Sequence, residues 1–264
     1  MITNLKRVFV ARPSRNLIIL VLLALAAIAV GPRLAQSRGR CPPCFTVVMN
    51  RQNFDNVIPP VLPPDWLATN ALGPPPLWVT SNTGVPAPPE DTSPNAAFID
   101  DPSVVSDKRL DSFPFTFFEG CCPELTFRHN FNLEASPDPN VGFDGGVLEM
   151  STDNGNTFQD ILAVGGTFVT GGYNRRISAD RGSPIAGRQA WSGNSGSFIT
   201  TVVSLPAIQI PSSGLKLRWR MASDSSGSGE GWRVDTISLT WCHGGQPSCT
   251  TPRPRPSPVP RPSP

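Results

Sequence analysis

Between residues 125 and 134, Leu125, Phe127, Phe131 and Leu133, with His129 in their register, alternate with Thr126, Arg128, Asn130, Asn132 and Glu134. A period of two sorts these residues onto opposite faces of an extended strand, whereas a helix would scatter them around its axis. The same alternation sets Leu215, Leu217, Trp219 and Met221 against Lys216, Arg218 and Arg220. Residues 45–49, 147–151, 158–164 and 198–205 read as further strands. Trp232 and Val234 share one phase, and Ile237, Leu239 and Trp241 the other, which implies a bulge near Asp235-Thr236. With 31 Pro and 23 Gly, long helices are excluded. The glycines lack a three-residue spacing and no longer repeat is present, which removes collagen, propellers and solenoids. Many short strands joined by Gly/Pro loops predict an all-β fold. We expect a jelly-roll β-sandwich of two antiparallel sheets over residues 41–250, with Phe127, Phe131, Leu148, Leu217, Trp219 and Ile237 in its core.

The ends differ from this middle. Lys6, Arg7, Arg12 and Arg15 precede an apolar run over 17–30. That run falls short of the about 20 residues of a membrane span and matches the apolar region of a signal peptide. Ala27-Ile28-Ala29 offers small residues to a peptidase, while Arg33, Arg38 and Arg40 keep an uncleaved anchor open. Residues 1–40 therefore read as a signal peptide or an N-terminal hydrophobic helix with a linker, and membrane contact is expected only if that segment is retained. Residues 251–264 alternate Pro with Arg, Ser or Val and read as a disordered, extended tail. Without the basic ends, residues 41–251 hold 12 basic and 20 acidic side chains, which argues against nucleic acid as a partner. The expected location is extracellular or at the cell surface.

Export gives the six cysteines their meaning. Cys41, Cys44, Cys121, Cys122, Cys242 and Cys249 are an even set, read as disulfide partners in an oxidising compartment. Cys121 and Cys122 are adjacent, and a vicinal bridge is strained, so each is expected to bond elsewhere. Cys41-Pro-Pro-Cys44 has redox spacing but leads into a strand-like run rather than a helix N-terminus. A four-thiolate zinc site from the first four cysteines is the alternative, and it fits a reducing compartment better.

Chemical motifs are sparse. The string from Ser151 through Asp153, Asn154-Gly155 and Thr157 to Phe158 is a turn signal between strands. It resembles the Asp-box of sialidase-type propellers, a structural hairpin, without the repeat a propeller needs. Gly193-Asn194-Ser195-Gly196-Ser197 resembles the nucleophile loop of trypsin-like proteases at three of five positions, but only His129 and His243 exist to serve as base. Asp144 and Glu149 could form the carboxylate pair of a glycan hydrolase. Asp55, Asp100, Asp101, Asp224 and Asp235 flank strands. They read either as Ca²⁺ ligands or as turn aspartates bonded to their own backbone. Trp78 and Trp191, in Gly/Pro/Ser loops, read either as sugar-stacking platforms or as core cover.

Several phrases share an order across residues 45–241: Phe54-Asp55 with Leu-Pro-Pro-Asp-Trp at 62–66; Phe-Asp-Gly-Gly-Val-Leu-Glu at 143–149 followed by the 151–158 turn; and Leu-Arg-Trp-Arg at 217–220, Asp-Ser-Ser at 224–226 and Gly-Trp-Arg-Val-Asp at 231–235. Together they resemble the choice-of-anchor and cleaved-adhesin type jelly rolls, a module akin to MAM domains that also accompanies immune-inhibitor-A metallopeptidases. The resemblance implies an extracellular, non-catalytic sandwich used for adhesion, with a glycan or a protein as partner. It also implies a structural calcium near the first acidic residue and the last strand, matched here by Asp55 and Asp235, while Asp100 and Asp101 are candidates on the residue reading alone. The peptidase motif HExxH is absent. The remaining alternatives are the hydrolase and a purely structural surface protein.

Overall fold

The computed structural model describes residues 45–84, 91–115, 123–206 and 214–243. The expected signal or anchor segment, the Pro-rich tail, Cys41, Cys44, Cys121, Cys122, Cys249 and the Cys242 side chain lie outside the described residues. Among the described residues no helix is long and apolar enough to cross a membrane.

The first strands are β1 (Phe45–Gln52), β2 (Leu67–Leu72), β3 (Val79–Ser81), β4 (Ala96–Ile99) and β5 (Ser106–Asp111). The middle holds β6 (Glu124–Asn132), β7 (Val141–Gly142), β8 (Gly145–Ser151), β9 (Gln159–Asp160) and β10 (Thr167–Thr170). The last are β11 (Arg175–Ile177), β12 (Gln189–Ala190), β13 (Ile199–Ser204), β14 (Lys216–Ser223) and β15 (Gly231–His243). One sheet runs β10-β13-β6-β15-β4-β3 with β1 also on β15, and the other runs β2-β5-β14-β8-β9. Within these, β4-β15-β6-β13 faces β5-β14-β8-β9. Through these eight strands the chain crosses between layers at every step except β8–β9, the order of a jelly roll.

Alternation explains why the two layers close on each other. β6 sends Leu125, Phe127 and Phe131 inward, β14 sends Leu217, Trp219 and Met221, and all are buried together. Phe127 and Trp219 meet edge to face across the layers at 5.7 Å. Every core residue expected from the sequence is buried. The phase slip in the last strand is a bulge. The register against β6 shifts between Asp235 and Ser238, and Thr236 takes φ +45° there. The inserted residue returns Ile237 and Leu239 to the core after Trp232 and Val234. It also lets one strand pair with β4 in its first half and β1 in its second.

Three expectations need correction. Residues 158–164 do not form a full strand: β9 ends at Asp160, whose carboxylate accepts from Leu162 N at 2.9 Å and turns the chain. The bend is completed by the Gly166 N to Ile161 O bond at 2.8 Å. The proline-rich stretch from Pro59 to Pro94, read as loops around Trp66 and Trp78, is not loop alone, since it contains β2 and β3, with both tryptophans buried beside them. Nor is all pairing antiparallel. A small sheet β12-β11-β7 contains the parallel pair β11–β7, and Ile177 and Ala190 of this sheet pack on Val147 and Ala222.

Candidate functional site

The four aspartates expected to hold a cation take different partners. Asp55 accepts from Asn95 N at 2.9 Å and from Asn53 Nδ2 at 2.5 Å. Asp235 accepts from Thr92 Oγ1 at 2.7 Å and from Thr236 N at 2.6 Å. Burial, with Asp91 nearby, raises its carboxyl to about 7. Asp100 takes the ammonium of the fully buried Lys108 at 2.5 Å. These three use their oxygens as turn and ion-pair acceptors. Asp101 turns toward a group of other carboxylates.

Those partners are Glu134, Asp144 and Asp224. One carboxylate oxygen from each of the three lies within 4.8 Å of the others. Asp101 lies beside Asp144 and the two carboxyls act on each other. Burial, reinforced by Asp101, lifts Asp144 to about 9, and burial also raises Asp101. Glu134 is raised by burial and by Asp224 and Asp101, and lowered by Arg181, which stacks 4.5 Å above the Phe143 ring. An all-oxygen, acid-rich set suits a hard divalent cation, and nothing here offers the nitrogen or sulfur that zinc prefers. Asp224 stood among the flagged acidic loops and Asp144 was expected in a hydrolase pair. Glu134 looked like one more polar strand residue, and no spacing motif links the four.

Asp144 and Glu149 do not form a catalytic pair. Glu149 is buried between Arg188 Nη1 at 2.6 Å and Arg220 Nη1 at 3.1 Å, while Asp144 is buried at the other end of β8 among acids. A hydrolytic pair needs an open cleft with room for sugar and water between the carboxyls. Ser195 accepts from Asn130 Nδ2 at 2.8 Å and donates to Ser197 O at 2.9 Å, holding its loop to β6. His129 is wholly buried. Its Nδ1 accepts from Trp232 Nε1 at 3.1 Å, and its Nε2 lies 2.8 Å from Thr201 Oγ1. Thr201 donates to Gly171 O at 2.6 Å, so the ring's proton belongs on Nε2. Burial drives this histidine down to about 3. Asp153 holds the 151–158 turn by accepting from Thr157 N and Oγ1, which keeps its carboxyl at about 2.

The stacking platforms are corrected too. Trp78 is 1% exposed and Trp191 0%. Trp191 packs against His129 at 4.9 Å and Tyr173 at 4.7 Å, and its Nε1 donates to Gly171 O. Neither ring can present a face to a sugar. Among the described residues the exposed large apolar side chains are aliphatic: Ile58, Val61, Leu67, Leu72 and Leu77 come from one stretch of chain, with Val48, Val104, Leu162 and Val169 elsewhere. An open hollow of about 770 Å³ has a mixed lining that includes Asn140, Val141, Arg175, Arg176, Ile177 and Gln189. Its Arg175 is spent on the carbonyls of Ser136, Asp138 and Val141.

The described residues thus define a jelly-roll sandwich with a buried carboxylate cluster at one end. Solved structures similar to it include the K2 cleaved adhesin domain of Lys-gingipain, at TM-score 0.44 and 14% identity, covering 75% of this chain and 98% of that one. The K1 domain of Lys-gingipain from Porphyromonas gingivalis W83 gives TM-score 0.41 and 16% identity, covering 74% and 97%. The enzymatically active domain of tailspike protein 4 from bacteriophage CBA120 gives 0.37 and 12%, covering 67% and 19%. No family model and no curated protein matches the chain.

Proposed function

We propose that this chain is an exported, non-catalytic module of the adhesion type that works outside the cell and binds a protein partner. The reading is carried by the exposed aliphatic side chains of residues 58–77. Ile58 is 83% exposed and Val61 60%, and Leu67, Leu72 and Leu77 follow within the same stretch. Thr80 draws Pro60 and Val61 to β3, just after Leu77, and exposed apolar groups brought together mark contact surfaces; aliphatic groups suit a protein better than a sugar, which favours aromatic faces. The backbone beneath them is held. Thr80 donates through N to Pro60 O and through Oγ1 to Val61 O, and Trp66 and Trp78 anchor the segment in the core. A surface held in place loses little freedom on binding.

The test is binding of the labelled full chain to intact cells, before and after their surface is stripped. Protease-sensitive binding, lost in the Ile58→Ser/Val61→Ser/Leu77→Ser variant at unchanged melting temperature, supports the proposal. Glycosidase-sensitive binding lost on substitution of Asn140 and Gln189 would move the contact to the open hollow and overturn the protein reading. Binding to no cell surface would overturn the adhesion reading itself.

A further inference from the structure

The carboxylate cluster is built differently from the other acids of the sandwich. Asp101 Oδ2 accepts from Glu134 N at 3.0 Å and Gly229 N at 2.8 Å. Asp144 Oδ1 accepts from Asp224 N at 2.6 Å, and Asp224 Oδ1 from Ser226 N at 2.7 Å. Each of these three carboxylates thus spends one oxygen on the loop backbone. The other oxygen of each, Asp101 Oδ1, Asp144 Oδ2 and Asp224 Oδ2, is buried with no donor among the described residues, and so is Glu134 Oε2. None of the three aspartates is more than 4% exposed. A buried polar atom without a partner costs about 1–3 kcal/mol, and more when charged, so four such oxygens in one place call for a shared ligand. No ion pair among the described residues uses any of the four acids.

Their origin in the fold is equally specific. Asp101 follows β4 and Glu134 follows β6, both of the larger sheet. Asp144 precedes β8 and Asp224 follows β14, both of the smaller sheet. Each layer therefore supplies two carboxylates to this end of the sandwich, three of them converging within 4.8 Å and Asp101 beside Asp144. The Gly/Ser loop after Asp224 closes over them: a side chain at Gly227 would come within 2.1 Å of the Glu134 carboxyl carbon.

We propose that Asp101, Glu134, Asp144 and Asp224 hold one calcium ion, which fastens the two sheets together at this end of the sandwich. Calcium fits better than magnesium because its shell takes 6–8 oxygens in flexible geometry, whereas magnesium keeps most of its water. The site is distinct from the Asp55 and Asp235 positions matched by family resemblance, and it stands whether or not the sandwich binds a partner.

The experiment uses the full chain stripped with chelator, titrated with CaCl₂ by calorimetry and melted with and without the ion. Wild type is expected to bind one calcium and to gain about 5–10 °C at about 100 times the dissociation constant. The Asp144→Asn/Asp224→Asn variant is expected to lose that gain. Without the ion it should melt at or above the stripped wild type, because the crowded charge is gone. Should that variant fail to fold, Glu134→Gln, which changes only the half-exposed ligand, is expected to weaken calcium about tenfold. Asp55→Asn/Asp235→Asn is expected to keep the full response. The proposal is overturned by no calcium-dependent shift in wild type, by an unchanged shift in the Asp144/Asp224 variant, by loss of the shift in the Asp55/Asp235 variant, or by an equal shift with MgCl₂.

Discussion

His129 makes this sandwich sensitive to acid in a way that can be calculated. Its ring lies in the core among Phe127, Phe131, Trp191 and Trp232, its Nδ1 is filled by the Trp232 N–H, and the charged group acting on it is Arg128. Burial lowers its pKa from 6.5 to about 3, so the unfolded chain takes up the proton first. Stability from this group is complete above pH 6.5 and is lost as pH falls toward 3. Between pH 8 and pH 4.5 the linkage amounts to about 2.7 kcal/mol, or roughly 5–10 °C for a domain of this size. The control is His129→Gln, whose amide can accept from Trp232 and donate to Thr201 but does not titrate. Carboxylates that gain protons over the same range do so in both proteins and cancel. Urea denaturation of both proteins at the two pH values is expected to give wild type an extra loss of about 2.7 kcal/mol. Equal losses, or an imidazole that titrates near 6.5 by NMR, would refute the reasoning.

Three other perturbations follow from the packing. Trp191→Ala removes the ring that His129, Tyr173 and Phe127 pack around, and thermal or urea unfolding should show a loss of about 3–5 kcal/mol; an unchanged midpoint would contradict its place in the core. Glu149→Gln leaves Arg188 and Arg220 short of their shared charge and is expected to cost about 1–3 kcal/mol by denaturant midpoint. Gly227→Ala, at φ +75° and against the Glu134 carboxylate, is expected to lower calcium affinity in calorimetry while leaving the core intact.

How far the sequence could be read depended on where burial falls. β6 and β14 were legible because each is wet on one face and dry on the other, and the slip at Asp235-Thr236 was legible because the phase breaks inside one strand. β2 and β3 are short and begin beside Trp66 and Trp78, so no period could form. The short β9 was over-read because Ile161 and Val164 are apolar, while the turn at Asp160 that ends it left no signal in apolar spacing. The carboxylate cluster was out of reach for another reason. Asp101, Glu134, Asp144 and Asp224 sit in four different turns, and an aspartate in a turn looks the same whether it caps its own backbone or faces three other acids. Nearness in sequence misled in the opposite direction. Five positions separate Asp144 from Glu149, yet the strand between them carries one to the acidic end and the other out among arginines.

The last two strands of the described residues are the ones the rest lean on. β14 lies between β5 and β8, while β15 pairs with β6, β4 and β1. Until residue 216 has been synthesised, the smaller sheet has no middle, and until residue 231 the larger one has none. A nascent chain lacking those segments can form little more than the β2–β5, β6–β13 and β3–β4 pairs and a few short contacts. Assembly therefore waits for residues 216–243, and a truncation that removes β15 unseats β1 as well.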